Sequence, residues 1–427
     1  MFDAHSYNKG GIVLHMLRNM IGDDAFFTAL KQYLTKHAYT DVEVHELRMA
    51  FEEVTGQDLN WFFNQWYMNS GHPELDITKN YDGVTGKLVV TIAQRQGAQK
   101  NTPVYRLPMA IDVYYANGEK SERFNITTNQ RKETFSFKVK QTPKLVNVDA
   151  ERITLCEMNY PKTEDEYAFQ YNNAPLYLDR IEAIESFQAS EKFSETAKKV
   201  LEKALNDKHY SIRSTAVNMV DIGDATIAAK LENAVLNDAH SEVRGAIMFR
   251  LGQTEDKKYV ETIKKVLDKE RAFVVISEAL QALYTLDKEA ALKYLPKLEN
   301  EDSPNIVNAL AVIYSENPTA ERVAFFDKKI KAINGMEAVG FISSYAVMSA
   351  SLDDTAQEKS IATLKNIGTS MDDSPWRRYG AVKGLSDMKT IYRALNNTAK
   401  IKEIDAIMAE VKNKETNKQL RAIYDSF

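Results

Sequence analysis

The sequence predicts a multidomain, mainly α protein with one small antiparallel β domain, and three patterns predict it. Apolar residues recur at three-and-four spacing through residues 1–75, alternate one by one through residues 76–158, and return to helical spacing with a 31-residue repeat in residues 159–427. A chain of 427 residues is too long for one core. Its 44% hydrophobic and 27% charged residues are those of a soluble globular protein, and no run of about 18 apolar residues could span a bilayer. No basic segment leading into an apolar one opens the chain, so no signal peptide is visible and the compartment is left open. A net charge of -5 and a pI near 5.9 argue against a nucleic-acid binder, which needs a basic patch. The single cysteine, Cys156, has no internal disulfide partner.

In residues 1–75 the first helix is carried by Ile12, Val13, Met16, Leu17, Met20 and Ile21, with Gly22 expected to end it in a left-handed cap. Asp23 or Asp24 is expected to cap a second helix through Phe26, Phe27, Leu30, Tyr33 and Leu34. Thr40 and Glu43 have capping-box spacing ahead of Val44, Leu47, Phe51 and Val54, with Gly56 as the stop. A fourth helix is expected from Asp58 through Trp66 to Gly71, where Pro73 forbids continuation.

After Pro73, Leu88, Val90 and Ile92 alternate with Val89, Thr91 and Ala93, and residues 109–115 precede Asn117-Gly118, the strongest short hairpin signal in the chain. Phe124, Ile126, Phe135, Phe137 and Val139 continue the alternation, and residues 145–149 make a last strand. The reading is an antiparallel sandwich of roughly seven strands. Further on, Asp207 and Arg213 recur as Asp238 and Arg244, 31 residues later, with echoes at Leu267-Asp268, Leu298-Glu299 and residues 371–378. Small residues such as Ala216, Ala246 and Ala279 sit where helices must approach. The pattern resembles short HEAT-like repeats stacked into an α-solenoid, with aspartate capping the second helix of each pair and arginine pairing along the stack. Between about 319 and 370 the register is lost.

Residues 5–11, His5-Ser6-Tyr7-Asn8-Lys9-Gly10-Gly11, together with Trp66 and Gly71-His72-Pro73, resemble the distal end of the catalytic domain of the gluzincin aminopeptidases, the aminopeptidase N family. In that family a Tyr-x-Lys-Gly segment opens a long helix and the domain closes on Trp and Gly-x-Pro. The resemblance implies the helical end of a thermolysin-like catalytic domain, then the small β domain, then a helical domain that closes over the cleft. It implies a zinc enzyme releasing N-terminal residues from peptides, with Tyr7 as the catalytic residue whose hydroxyl faces the oxyanion. A phenol keeps its proton at neutral pH, and a donor so aimed contributes about 10²–10³-fold in rate. Lys9 and Gly10 are expected to pack or pair.

Such an enzyme needs two histidines four apart on a helix, a glutamate base and a further glutamate ligand. No two of His5, His15, His37, His45, His72, His209 and His240 have that spacing; His45-Glu46-Leu47-Arg48-Met49 puts methionine in the second ligand position. Gly335-Met336-Glu337-Ala338 only faintly imitates the family's amine anchor. The expectation is therefore the C-terminal portion of such a peptidase, binding no zinc itself, inactive alone, and partnered by the N-terminal catalytic half, either in a longer parent or as a separate subunit. The competing reading is a non-catalytic HEAT-like scaffold that binds a protein or peptide.

Overall fold

The structure, a computed structural model, describes residues 5–97, 102–189 and 192–427. The chain divides into two compact units, Met1–Leu201 and Glu202–Phe427. Both are dominated by helices, and among the described residues no helix is long and apolar enough to cross a membrane.

The first unit opens with a π-helical turn, His5–Lys9, that runs directly into α1 (Gly10–Ile21). Next come α2 (Asp23–Lys36), α3 (Val44–Thr55) and α4 (Asn60–Trp66). Their inward faces carry Val13, Leu17, Phe26, Phe51, Phe62 and Phe63, all buried. Gly56 ends α3 in the left-handed conformation (φ 67°, ψ 10°), as expected from the residue that enters it without a Cβ clash. Four expectations about helix ends are corrected. Gly22 has a positive φ of 86° but an extended ψ of 159°, and it serves both as the end of α1 and as the residue before α2. Asp23 and Asp24 therefore lie in the first turn of α2, where Asp23 takes the Arg18 guanidinium at 2.6 and 2.8 Å. The capping box of α3 uses Glu43 and Glu46, one turn later than Thr40 and Glu43. The fourth helix starts at Asn60 and stops at Trp66, shorter at both ends than its apolar pattern.

Two sheets follow. Strands β1 (Glu74–Asp82), β2 (Lys87–Gln94), β3 (Leu107–Tyr114), β4 (Glu122–Thr128), β5 (Lys132–Lys138), β6 (Leu145–Val148) and β7 (Glu157–Asn159) form sheets of order β5-β2-β1-β7 and β4-β3-β6. Ile77 opposes Ile92, Val90 opposes Phe135, and Val113 opposes Val146. Leu88, Val90, Ile92, Ile111, Val113 and Val148 share one buried cluster with the helices above. Two points depart from the sequence reading. The last strand is β7, and it pairs parallel to β1, with Leu75 opposite Met158; three residues are too few to show alternation. Asn117-Gly118 lies in a 3₁₀ turn, Ala116–Gly118, within a longer β3–β4 connection rather than forming a two-residue hairpin turn.

After the sheets, α5 (Glu164–Asn173) and α6 (Tyr177–Glu185) are held by a buried charge network. Arg152 donates to Asp179 at 2.8 Å and to Glu182, Lys162 donates to Glu182 at 3.0 Å, and Asn147 of β6 donates to Asp179 at 3.1 Å. Burial raises the Glu182 carboxyl, but Lys162 and Arg152 outweigh it and hold it below the usual range. α7 (Glu195–Ala204) leads toward the second unit.

The second unit is a run of helices: α8 (Tyr210–Met219), α9 (Ala225–Asn237), α10 (Ser241–Gly252), α11 (Val260–Lys269), α12 (Phe273–Leu286), α13 (Lys288–Tyr294), α14 (Pro304–Ser315), α15 (Val323–Lys329), α16 (Glu337–Ala350), α17 (Asp354–Thr369), α18 (Pro375–Ala394), α19 (Thr398–Lys414) and α20 (Lys418–Tyr424). Helices α8, α10, α12, α14, α16 and α18 pack each on the next. The stack continues through residues 319–370, where the sequence register fades because α15 is a short helix on a lengthened connection. Between α10 and α12 the approach is close: a Cβ at Gly252 would stand 2.9 Å from Ala282 Cα.

The repeated polar residues form a ladder. Arg213 forks onto Asp238 at 2.7 and 2.8 Å and also donates to the Asp207 carbonyl. Arg244 repeats this on Glu270 and the Asp238 carbonyl, and Arg378 on Glu415 at 2.9 and 3.1 Å and the Asp373 carbonyl. Arginine thus pairs along the stack as expected, but the caps are corrected. His209 and His240 cap α8 and α10 through Nδ1, while Asp207 and Asp238 accept from the backbone N–H of those histidines. Each aspartate carboxylate is already taken by the N–H two residues on, and that of Asp238 also by the Arg213 fork, which leaves the histidine to cap the helix.

Because Arg378 and Glu415 are both buried, Glu415→Gln should cost about 3–5 kcal/mol, and Arg378→Met with Glu415→Leu should recover most of it. Chemical unfolding of the three variants checks this. Burial raises the Glu270 carboxyl, but the Arg244 fork and the N–H groups of Ala272 and Arg271 overcome it and lower it from 4.5 to about 2. A depressed carboxyl contributes stability that is full above the unfolded value and lost as pH falls through the folded one. Stability of the native chain should therefore fall between pH 4.5 and about 2, and Glu270→Gln should flatten that slope in a pH series of unfolding curves.

Candidate functional site

Tyr7 sits in the middle of the π-helical turn that feeds α1, and its side chain is 65% exposed. Such widened turns often mark functional positions because they re-aim one side chain without ending the helix. Two residues on, Lys9 closes the turn with helical dihedrals (φ -63°, ψ -47°). Its Nζ donates to the Gly71 carbonyl at 2.9 Å, across 62 residues of chain. The two halves of the motif, the start of α1 and the Gly-x-Pro segment, are thereby joined. Of the two roles expected for Lys9, packing or pairing, the structure shows it paired with a backbone carbonyl.

The Gly71 end is built to hold that carbonyl. Gly71 has φ +88°, and a Cβ there would lie 2.7 Å from Thr102 Oγ1, so no other L-residue fits without strain. Just upstream, Trp66 is buried with its ring centre 4.8 Å from that of Tyr105, which is itself fully buried. Gln65 behaves as a substitute strand partner: its Nε2 donates to the Arg106 carbonyl at 3.1 Å and its Oε1 accepts the Arg106 N–H at 2.7 Å. On the far side, His72 Nε2 meets Glu157 Oε1 at 2.9 Å, and the Glu157 N–H donates to the Pro73 carbonyl. Gln65, Thr102, Tyr105 and Glu157 were not singled out from the sequence. Their roles depend on strands β1, β3 and β7 meeting the end of α4, and no local pattern signals that.

The remaining histidines do not converge. His15 contacts Asn19 one turn along α1, His37 packs beside Tyr33, and His45 and Met49 lie exposed on α3. His209 and His240 are helix caps, and His240 stacks on Tyr210 at 3.6 Å. Among the described residues no three His, Cys, Asp or Glu side chains could hold a metal ion together, so these residues do not fit the zinc that the resemblance implies. Met336 is exposed, and Gly335 (φ 68°) belongs to the turn before α16, apart from any strand. What the first unit presents chemically is an exposed phenol on a braced helix start.

The chain is similar to two families of known proteins. Residues 1–66 match the Peptidase family M1 domain, and residues 228–314 match HEAT repeats. Aminopeptidase M1-C of Oryza sativa subsp. japonica is 34% identical over 77 residues, 18% of this chain and 9% of that protein. Aminopeptidase N of Lactococcus lactis subsp. lactis is 39% identical over 74 residues, 17% of this chain and 9% of that protein. The matches thus span about a tenth of these relatives' length. In fold, the chain is similar to Legionella pneumophila aminopeptidase A, solved in complex with aspartic acid, with TM-score 0.61 and 14% identity over 99% of this chain and 56% of that one.

Gly71→Ala should lose on the order of 1–3 kcal/mol from backbone strain and the Thr102 clash. Adding Thr102→Ala should restore only part, because the clash goes and the positive φ stays. Urea unfolding of the single and double variants checks this, and a fully stable Gly71→Ala would contradict the close approach. Residues 1–66 are thus similar to the Peptidase family M1 domain and to aminopeptidase N, the likeness that Tyr7, Lys9 and Trp66 pointed to, and residues 228–314 are similar to HEAT repeats.

Proposed function

We propose that residues 1–75 are the distal helical part of the catalytic domain of a zinc aminopeptidase, a hydrolase that releases N-terminal residues from peptides. The observation that carries this reading is the hydrogen bond from Lys9 Nζ to the Gly71 carbonyl, which braces the helix start bearing Tyr7. Tyr7 donates its hydroxyl proton in a hydrogen bond to the oxyanion of the tetrahedral intermediate, a charge that is absent from the ground-state carbonyl and therefore lowers the barrier selectively. Residues 76–158 form the β domain, and residues 159–427 the helical domain that closes over the cleft and restricts access to peptide ends.

The metal and the general base come from sequence outside these residues, either in a longer parent or in a second chain, and this chain is inactive without them. Exposed apolar side chains on α1 to α3, Ile12, Phe27, Leu34 and Met49 among them, support a surface that packs against that half. The HEAT repeats support a second reading, a scaffold for a protein or peptide partner, which leaves the Lys9 and Gly71 brace without a role.

In an enzyme assembled from this chain and a zinc-bearing N-terminal half, Tyr7→Phe should lower kcat by about 10²–10³-fold with little change in KM. A Tyr7→Phe enzyme as fast as the unmodified one removes the proposed role. The chain alone should leave aminoacyl anilides intact. Stoichiometric zinc uptake with turnover lowered by Tyr7→Phe would overturn the placement of the metal outside these residues.

A further inference from the structure

A cavity of about 330 Å³ lies within the first unit, between α1, α4, β3, β4 and the loop after β6. One part of its wall is apolar and soft, with Met16 and Met20 from α1, Trp61 and Phe62 from α4, Met109 from β3 and Ile126 from β4, while Asn19, Asn125 and Thr127 add polar groups. Methionine and aromatic walls adapt to flat apolar groups. The volume is at the lower end of ligand sites, which suits a single ring with a short chain.

Arg106, an exposed residue, also lines this cavity. Its guanidinium carbon lies 4.4 Å from the centre of the Trp61 ring, and its backbone is gripped on both sides by the Gln65 amide. The root of the side chain is therefore fixed. Among the described residues no carboxylate pairs with this guanidinium, and a ring contact offers no lone pair to its five N–H donors. The two carboxylates of the lining are already engaged. Glu151 accepts from Arg123 at 2.7 Å, and Asp149 accepts from the Thr154 N–H at 3.1 Å and its hydroxyl at 2.9 Å. Burial also raises the Asp149 carboxyl, which weakens its repulsion of an anion.

We propose that this cavity binds a small hydrophobic carboxylic acid. Its apolar end lies against Met16, Trp61 and Phe62, and its carboxylate takes the open N–H fork of Arg106. Arginine suits this task because its planar fork matches two carboxylate oxygens while its face stays on the indole.

The test titrates the full chain with 3-phenylpropionate and, separately, with 3-phenylpropionamide, which has the same ring and chain but no charge. Of the three tryptophans, Trp376 lies in the second unit and is 44% exposed, so a Trp376→Phe background leaves the fluorescence of Trp61 and Trp66 as the reporter. The acid should give a saturable change and bind about 10–100-fold more tightly than the amide. Arg106→Gln should abolish that preference and, because the side chain is exposed, leave the thermal unfolding midpoint unchanged. Equal binding of acid and amide, or no saturable change with the acid into the millimolar range, overturns the proposal without reliance on any Arg106 variant.

Discussion

The Gly71 carbonyl is the point on which the first unit turns. The chain leaves α4, passes through a residue with φ +88° and enters β1 two residues after Pro73's predecessor, so the carbonyl emerges at a bend that has no room for a side chain. A charged lysine donor at 2.9 Å satisfies it. Charge-assisted bonds of this kind are stronger than neutral ones and directional. Lys9 is therefore held at the root of α1, and the turn that carries Tyr7 is held with it. Trp66 on Tyr105 and Gln65 on Arg106 secure the same bend from the core side, through the segment that leads into β3.

The second unit meets a different constraint. No single helix pair can bury its own apolar face, so each leans on the next, and the core runs on through Leu280, Leu310, Phe341, Leu364 and Leu385. Apolar contact is non-directional and would tolerate a slipped stack. The arginine forks are directional: Arg213 on Asp238, Arg244 on Glu270 and Arg378 on Glu415 each join the start of one helix to the turn before a later one. The same logic holds α5 and α6 in the first unit, where Arg152 and Lys162 are matched by Asp179 and Glu182. Buried pairs of this sort add little net stability over apolar replacements. Their contribution here is register.

Much of the fold was legible because its causes are local. Gly56 stops α3 since glycine enters the left-handed region at least cost, and Leu88, Val90 and Ile92 alternate since successive strand side chains face opposite ways. The errors also have local causes. Thr40, Glu43 and Glu46 offer two overlapping capping boxes, and the choice between them depends on where the chain turns out of α2. Asn117-Gly118 favours a tight turn, yet the register of β3 on β4 leaves a longer connection there. β7 carries no periodicity of its own and becomes a strand because β1 presents a free edge to it.

At the candidate site the division is sharper. The sequence by itself determined the helical face that begins near Tyr7, the Trp66 and Gly71 end of that segment, the strand alternation and the 31-residue repeat, since each is a spacing of residue types along one element. The tertiary structure alone decided that Lys9 finds Gly71 across 62 residues, that Gln65 substitutes for a strand partner of Arg106 across 41, and that Arg378 finds Glu415 across 37. Periodicity records the sterics and burial of neighbours on one helix or strand. A pair distant in sequence forms only where packed elements bring its two members together and offset the entropy of closing the chain between them.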